Sequence, residues 1–426
     1  MRTFGTCLRR LPRRHANRLL ALVRRAKVRL GVTNRKMDLG DLNAAFRQFV
    51  ADLLVRNHAD PANFCTEIAA DDEMFFKAVL PGYGYEPNIS YFKYVESALR
   101  TFEVYRQLVA AHLGGFANVR SVLDFGSGYG RLTRSLVQHL PRESIWVADI
   151  YPGAMAWQKR MFGVNTLMSV KDPDRFAPDR SFSVIFAGSV FSHLPDALFQ
   201  RWLKTLYRQT APDGILAFSV HGEKLLPAGE RMGPTGIHFL AFSESDSLGP
   251  DVYGMTYVSE AYVDASIARL GQGRRVQYRR FPNGLYENQD LYVVAGEGVD
   301  LHDIALRIPP IAGFEHVSGP AEGDVEFFGW AIDFNRGHRI TRFEVFCDAQ
   351  SIHVGAPGTE LERLRHFCPG APNAPVQWHF SLPRRLRHPQ CVIRVEVHSS
   401  SGAAAYAYAA VPEGEANLDS MKGLLT

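Results

Sequence analysis

Five cysteines in 426 residues, none spaced as C-x-x-C, exclude a dense disulfide framework and the commonest thiolate metal motifs. Cys7, Cys65, Cys347, Cys368 and Cys391 form an odd, sparse set that reads as buried free thiols in a reducing compartment, with no metal site expected. A Cys347–Cys391 bridge is the alternative if their two strands pair. No run approaches 18 uninterrupted apolar residues, so no transmembrane helix is expected. G-x-x-x-x-G-K-[ST] is missing too, which excludes a P-loop. Acids are wholly absent from residues 1–36, which hold 12 Lys and Arg. The other 36 of the 48 basic residues face 44 acids, so the body of the chain is acidic. An acidic body repels phosphates and argues against nucleic-acid binding.

The basic stretch has Leu19, Val23, Ala26 and Leu30 on one helical face, with Arg18, Arg24, Arg25, Lys27 and Arg29 between them. Three readings stay open for residues 1–37: peripheral contact with an anionic membrane, a transit peptide, or a solvated extension. Arginines interrupt every candidate apolar core, which disfavours a secretory signal.

What the chain does have is a glycine turn. Residues 121–131 run Ser-Val-Leu-Asp-Phe-Gly-Ser-Gly-Tyr-Gly-Arg. An apolar run ends in Asp124, glycines follow at 126, 128 and 130, and Leu132, Leu136, Val137 and Leu140 then take helical spacing. Strand, glycine turn and helix is how α/β folds hold nucleotide-type ligands. Counting from Gly126, the third glycine of G-x-G-x-x-G would fall at Arg131, so the dinucleotide pattern fails. A carboxylate at Asp124 repels a pyrophosphate and attracts an amine or sulfonium. Asp149 ends the next apolar run, Ile145–Ala148, close to the spacing of a ribose-binding acid. A ribose-bearing, cationic ligand without a phosphate site describes S-adenosylmethionine.

These residues resemble motif I of class I S-adenosylmethionine-dependent methyltransferases, and the likeness runs over roughly residues 90–296. Asp149 matches the family's acid after the second strand. Residues 181–194, 211–222 and 289–294 resemble its fourth, fifth and terminal strands. Ser183 departs from a frequent Asp, at a position that supports the strand. The resemblance implies a Rossmann-like, doubly wound sheet. It implies cofactor contacts from Asp124, Gly126, Ser127, Gly128, Gly130, Asp149, Ile150 and Ser189.

Strand and helix alternate over 121–125, 131–140, 145–149, 153–161, 183–188, 195–209 and 215–220, which predicts a parallel α/β sheet. Runs at 274–281 and 290–296 read as a closing antiparallel pair. The expected organisation is a basic extension over 1–37, a helical cap over 38–115, a methyltransferase domain over 116–298, a β-sandwich over 299–412 and an exposed tail over 413–426. The aromatic 83–92 loop either lines the cofactor or acceptor pocket or packs the cap onto the domain. The C-terminal strands resemble an immunoglobulin-like accessory domain of bacterial glycosyltransferases and glycan-modifying methyltransferases.

Methyl transfer to a hydroxyl needs alignment and a base. His193 and His221 follow the fourth and fifth strands, at the ligand end of a doubly wound sheet. Each is a candidate base, and each is alternatively a loop histidine satisfied by backbone. The leading expectation is O-methylation of a cell-surface glycan or its lipid-linked precursor, in the cytoplasm at the inner membrane face. The alternatives are methylation of a small molecule, lipid or protein, and a non-catalytic scaffold whose sandwich binds glycan or a partner.

Overall fold

A computed structural model describes residues 35–242, 248–273, 275–286, 288–319, 323–348, 350–368, 370–388 and 391–410. The basic stretch expected over 1–37, apart from its last three residues, and the tail expected over 413–426 lie outside the described residues.

Helix α1 (Ala44–Arg56) starts where Asn43 accepts a hydrogen bond from the Phe46 amide at 3.0 Å, and it buries Phe46, Phe49, Val50, Leu53 and Leu54. A π-helical turn, Met74–Val79, follows. Helix α2 (Pro87–Leu113) begins earlier than breaker residues suggest. Proline suits the first helical turn, and the Glu86 carboxylate accepts from the Ile89 amide at 2.6 Å. Tyr91 and Phe92 are therefore helical and buried in the cap, with Tyr83 beside them. These aromatics are buried inside the cap, and Phe92 also meets Tyr408 of the C-terminal domain, so they pack the cap itself and not its junction with the central sheet.

Nine strands build one sheet: β1 (Val122–Phe125), β2 (Ile145–Asp149), β3 (Asn165–Met168), β4 (Phe182–Ala187), β5 (Thr210–Gly222), β6 (Ile237–Leu240), β7 (Met255–Val258), β8 (Gln277–Leu285) and β9 (Gln289–Ala295). The main order is β3-β2-β1-β4-β5-β9-β8, with β9 antiparallel to both its neighbours. All other neighbours on that path run parallel, and helices α3 (Pro152–Phe162), α4 (Asp196–Gln209) and α5 (Glu260–Ala268) supply connections. This is a Rossmann-like sheet, with β9 the one reversed strand on that path and β6 reversed on the β7 branch. Buried side chains alternate between two clusters. Val122, Val147, Val184 and Ile215 join one, and Leu123, Ala148, Ile185 and Leu216 the other. A sheet covered on both faces explains the near-continuous apolar strands.

The helix expected over 131–140 is mostly turn. Only Thr133–Leu136 is α-helical, and hydrogen bonds from Ser135 to Leu132 and from Gln138 to Ser135 tighten the flanks. A second departure is the β6–β7 hairpin. Strand β5 outruns β4, and its last residues, His221 and Gly222, pair with Tyr257 and Val258 of β7. Amides of Gly254 and Thr256 bond the carbonyls of His193 and Ser192, both at 2.8 Å. The hairpin thus ties down the loop beyond β4, at the ligand end of the sheet.

Beyond residue 300 two antiparallel sheets stack. One holds β10 (Ile311–Ser318), β11 (Val325–Ile332) and β14 (Val376–Leu382). The other holds β12 (Ile340–Cys347), β13 (Gln350–Gly355), β15 (Val392–Ser399) and β16 (Ala404–Ala410). Phe314, Phe327, Trp378 and Phe380 of the first meet Phe343, Val345, Ile393 and Val395 of the second in a shared core. Tyr408 of β16 packs its ring 5.0 Å from Phe49 and 5.1 Å from Phe92, and its hydroxyl donates to Asp52 at 2.8 Å.

Candidate cofactor site and acceptor pocket

The turn after β1 is built from left-handed residues: φ is +75° at Gly126, +52° at Gly128 and +79° at Gly130. Amides of Gly126 and Ser127 both donate to the Ala148 carbonyl of β2, at 2.8 and 3.2 Å, which folds the turn back over the neighbouring strand. A Cβ on Gly126 would lie 2.4 Å from Val190 Cγ2, whereas a Cβ on Gly128 would meet nothing within 4 Å. Gly128 therefore faces open space. Ser127 turns inward, and its hydroxyl accepts from Gln158 Nε2 at 2.9 Å, while the same nitrogen donates to the Gly128 carbonyl at 2.7 Å. The Ser127 hydroxyl thus braces the turn from behind. Gln158, fully buried on α3, is the brace that sequence reading missed. Its only signal was a polar residue on an apolar helix face.

Two buried carboxylates flank the turn. Asp149 accepts from the Gly128 amide at 2.7 Å and from the Tyr151 amide at 3.2 Å, while Ile150 beside it is half-buried. Burial raises the Asp149 carboxyl above its ordinary value, and backbone amides oppose that rise. Asp124 is pushed up to about 7, first by burial and then by the Asp149 charge, with Arg131 and Thr133 opposing. Asp124 Oδ2 is buried with no hydrogen bond among the described residues. An unsatisfied buried oxygen of a strained carboxylate, next to a glycine facing open space, fits a ligand that brings positive charge and donors. The sulfonium and ammonium groups of S-adenosylmethionine are of that kind.

The cap reaches this site. Arg134, fully buried, donates to the carbonyls of Gly130 at 3.2 Å and Cys65 at 3.0 Å, and its guanidinium lies over the Tyr94 ring. The Tyr94 hydroxyl donates to buried Asp72 at 2.6 Å. Asp71, Asp72, Glu73 and Asp149 together help burial push the Tyr129 hydroxyl up to about 12. The field around the glycine turn is negative.

The second half of the site lies at the ends of β4 and β5. Ser189 adopts φ +58°, uncommon for a residue with a side chain. Its amide donates to Ser219 Oγ at 2.7 Å, and its hydroxyl accepts from Gln289 Nε2 at 2.9 Å. Ser219 in turn donates to Gln289 Oε1 at 2.6 Å. His193 and His221 are brought together, with ring centroids 6.2 Å apart. His193 Nδ1 lies 2.8 Å from the Gly254 carbonyl, and its ring stacks on Tyr253 at 4.6 Å. His221 stacks on Tyr257 at 5.5 Å, and its Nε2 lies 3.3 Å from Gln289 Nε2. Gln289, Ser219, Tyr253 and Tyr257 were missed in the sequence. Their positions follow from the reversed strand β9 and the β6–β7 hairpin, neither of which a local motif specifies.

The central part of the chain is similar to known methyltransferases. Residues 97–284 match the family described as a methyltransferase domain. A malonyl-[acyl-carrier protein] O-methyltransferase of Ilyobacter polytropus is 26% identical over 106 residues, 24% of this chain and 39% of that protein. A counterpart from Calditerrivibrio nitroreducens is 24% identical over 123 residues, 29% of this chain and 47% of that protein. The chain thus spans less than half the length of these curated relatives. Among solved structures, a DhpI complex with S-adenosylhomocysteine is 18% identical, covers 53% of this chain and 98% of its own, and has a TM-score of 0.34. The family match falls on the middle of the chain, over the glycine turn and most of the parallel sheet.

Proposed function

We propose that the protein transfers a methyl group from S-adenosylmethionine to a hydroxyl of a cell-surface glycan or its lipid-linked precursor. The observation that carries methyl transfer is the pair of buried carboxylates, Asp124 and Asp149, around the open face of Gly128. S-adenosylmethionine, when bound, supplies an activated methyl group on a sulfonium. Asp149 would hold the ribose hydroxyls, and Asp124 would meet the cationic end. Gly126 and Gly130, expected to let the backbone approach the ligand, instead make room for Val190 and for Phe162 and Gln158 and so hold the turn in shape; Gly128 gives the open approach, with Ile150 and Ser189 at the rim. His193 and His221 hold a proton acceptor where the acceptor hydroxyl must sit. The Ser189–Gln289–Ser219 network orients that side of the pocket.

The glycan acceptor rests on the two-sheet C-terminal domain, which we read as immunoglobulin-like, and on the basic N-terminal sequence. That sequence suits peripheral contact with the inner membrane face. No helix among the described residues is long and apolar enough to cross a membrane. The names of the curated relatives favour a second acceptor, a carrier-bound acyl group. Mass analysis of surface glycans from cells with and without the gene separates the two. Loss of one CH₂ from a glycan supports the first reading, and unchanged glycans overturn it. Replacing both His193 and His221 by Ala should abolish turnover while cofactor affinity persists. Undiminished turnover removes both from the mechanism.

A further inference from the structure

At one end of the C-terminal domain, far in sequence from the glycine turn, four metal-ligating side chains converge: Cys347, Asp348, His388 and Cys391. Their candidate ligand atoms all lie within 4.8 Å of one another. The convergence follows from backbone structure on both sides. Cys347 ends β12, and Asp348 follows it with φ +53°, an uncommon conformation that reverses the chain there. Across from them, the Cys391 amide donates to the His388 carbonyl at 2.9 Å, which holds these two residues close. The Asp348 amide donates to the Val392 carbonyl at 2.8 Å, and Asp348 Oδ1 accepts from the Val392 amide at 3.1 Å. The end of β12 and the start of β15 are therefore locked together.

The thiols are buried and the other two ligands exposed, with half the side-chain surface of His388 and Asp348 open to solvent. A buried thiol pair with an imidazole and a carboxylate on its open side gives an ion a path in. Cys347 Sγ lies 2.8 Å from Cys391 Sγ, and His388 Nε2 lies 2.9 Å from Asp348 Oδ2. A tetrahedral ion with sulfur at about 2.3 Å and nitrogen or oxygen near 2.0 Å separates its ligands by roughly 3.3–3.8 Å, so small side-chain rotations suffice.

A disulfide accounts for less. The sulfur separation exceeds the bond length of about 2.05 Å. Cys347 stands opposite Ile393 in the β12–β15 register, so Cys391 sits diagonally, two residues away. Diagonal neighbours are about 7–8 Å apart at the backbone, wider than most disulfides span. A disulfide also leaves the approach of His388 and Asp348 without a role.

We infer that Cys347, His388, Cys391 and Asp348 bind one tetrahedral divalent ion of the zinc type, pinning the start of β15 to the end of β12. Two thiolates, one imidazole and one carboxylate are a zinc donor set by softness and geometry. Binding releases the two thiol protons, and the thiolates carry the charge that the ion neutralises. The site reverses the expectation that these cysteines are plain buried thiols, and it is structural, since all four positions are filled by protein.

The test uses the full chain, purified without chelator, with metal content, free thiols and a peptide map measured together. The expected result is one equivalent of zinc. His388→Ala and Cys391→Ser should each lower that content at least tenfold. Cobalt added alone to chelator-stripped protein should give thiolate-to-cobalt charge-transfer bands and tetrahedral d–d bands, a readout that needs no variant to fold. A Cys347–Cys391 crosslink found by peptide mapping without reductant, with no metal, would establish the disulfide and overturn the site. Two reactive thiols with neither zinc nor the cobalt spectrum would overturn it as well.

Discussion

Gly126 and Gly128 share a left-handed backbone, yet their surroundings differ in a way that separates folding from binding. Gly126→Ala adds a Cβ against Val190 on top of an unfavourable φ, and should cost about 2–4 kcal/mol of stability. Gly128→Ala adds its Cβ to open space, so it should cost only about 1 kcal/mol while abolishing cofactor binding. Denaturant titration beside calorimetry checks the pair, and equal effects on binding and stability would contradict the assigned open face. Asp124 adds a pH signature. Its folded-state value, near 7, lies above the ordinary 3.8, so the folded chain holds a proton that the unfolded chain has lost across that window. Stability from this group is present below about pH 4 and is lost as pH rises through 7. A cationic ligand favours the carboxylate, so binding below pH 7 expels a proton. Affinity for S-adenosylmethionine should rise up to about tenfold per pH unit toward 7 and then level off. Asp124→Asn should flatten the profile, measured by calorimetry in buffers of different ionisation enthalpy.

Helices and strands join these residues into a site, and here the sequence was unevenly legible. Strands β1, β2 and β4 are buried apolar runs punctuated by an acid or a glycine, so periodicity and local chemistry agreed on them. The start of α2 was misjudged because Pro87 reads as a breaker, while in place it occupies the one helical turn that needs no amide donor. The segment after Gly130 kept its apolar spacing but little of its helix, since Leu132 and Leu140 reach the core from outside the one short helical piece that holds Leu136. Arg134 lies within it, a residue type that is mostly exposed. Burial against the carbonyls of Gly130 and Cys65 instead makes it the rivet between cap and glycine turn. Arg134→Met should cost about 2–4 kcal/mol, because those carbonyls lose their donors. It should also raise amide exchange around Cys65–Glu67, and unchanged exchange would remove the rivet from the account.

At the scale of the whole molecule, the C-terminal domain buttresses the cap. Arg56 pairs with Glu396 at 2.8 Å and Tyr408 fills the gap between Phe49 and Phe92, so cap and sandwich share a packed boundary. No local pattern announced that contact, since its partners lie more than 300 residues apart. The same holds for the Ser189–Gln289–Ser219 network, which forms only once β9 returns beside β5. The cofactor end, by contrast, was readable because strand, acid and glycines are contiguous. The central claim is that this end holds S-adenosylmethionine through Asp149 and Asp124. Calorimetric titration of the full chain at pH 8 tests it most directly. One equivalent should bind, with affinity at least tenfold weaker in Asp149→Ala while the melting temperature stays within a few degrees. No binding to the wild-type chain, or equal affinity in the variant, would contradict the account.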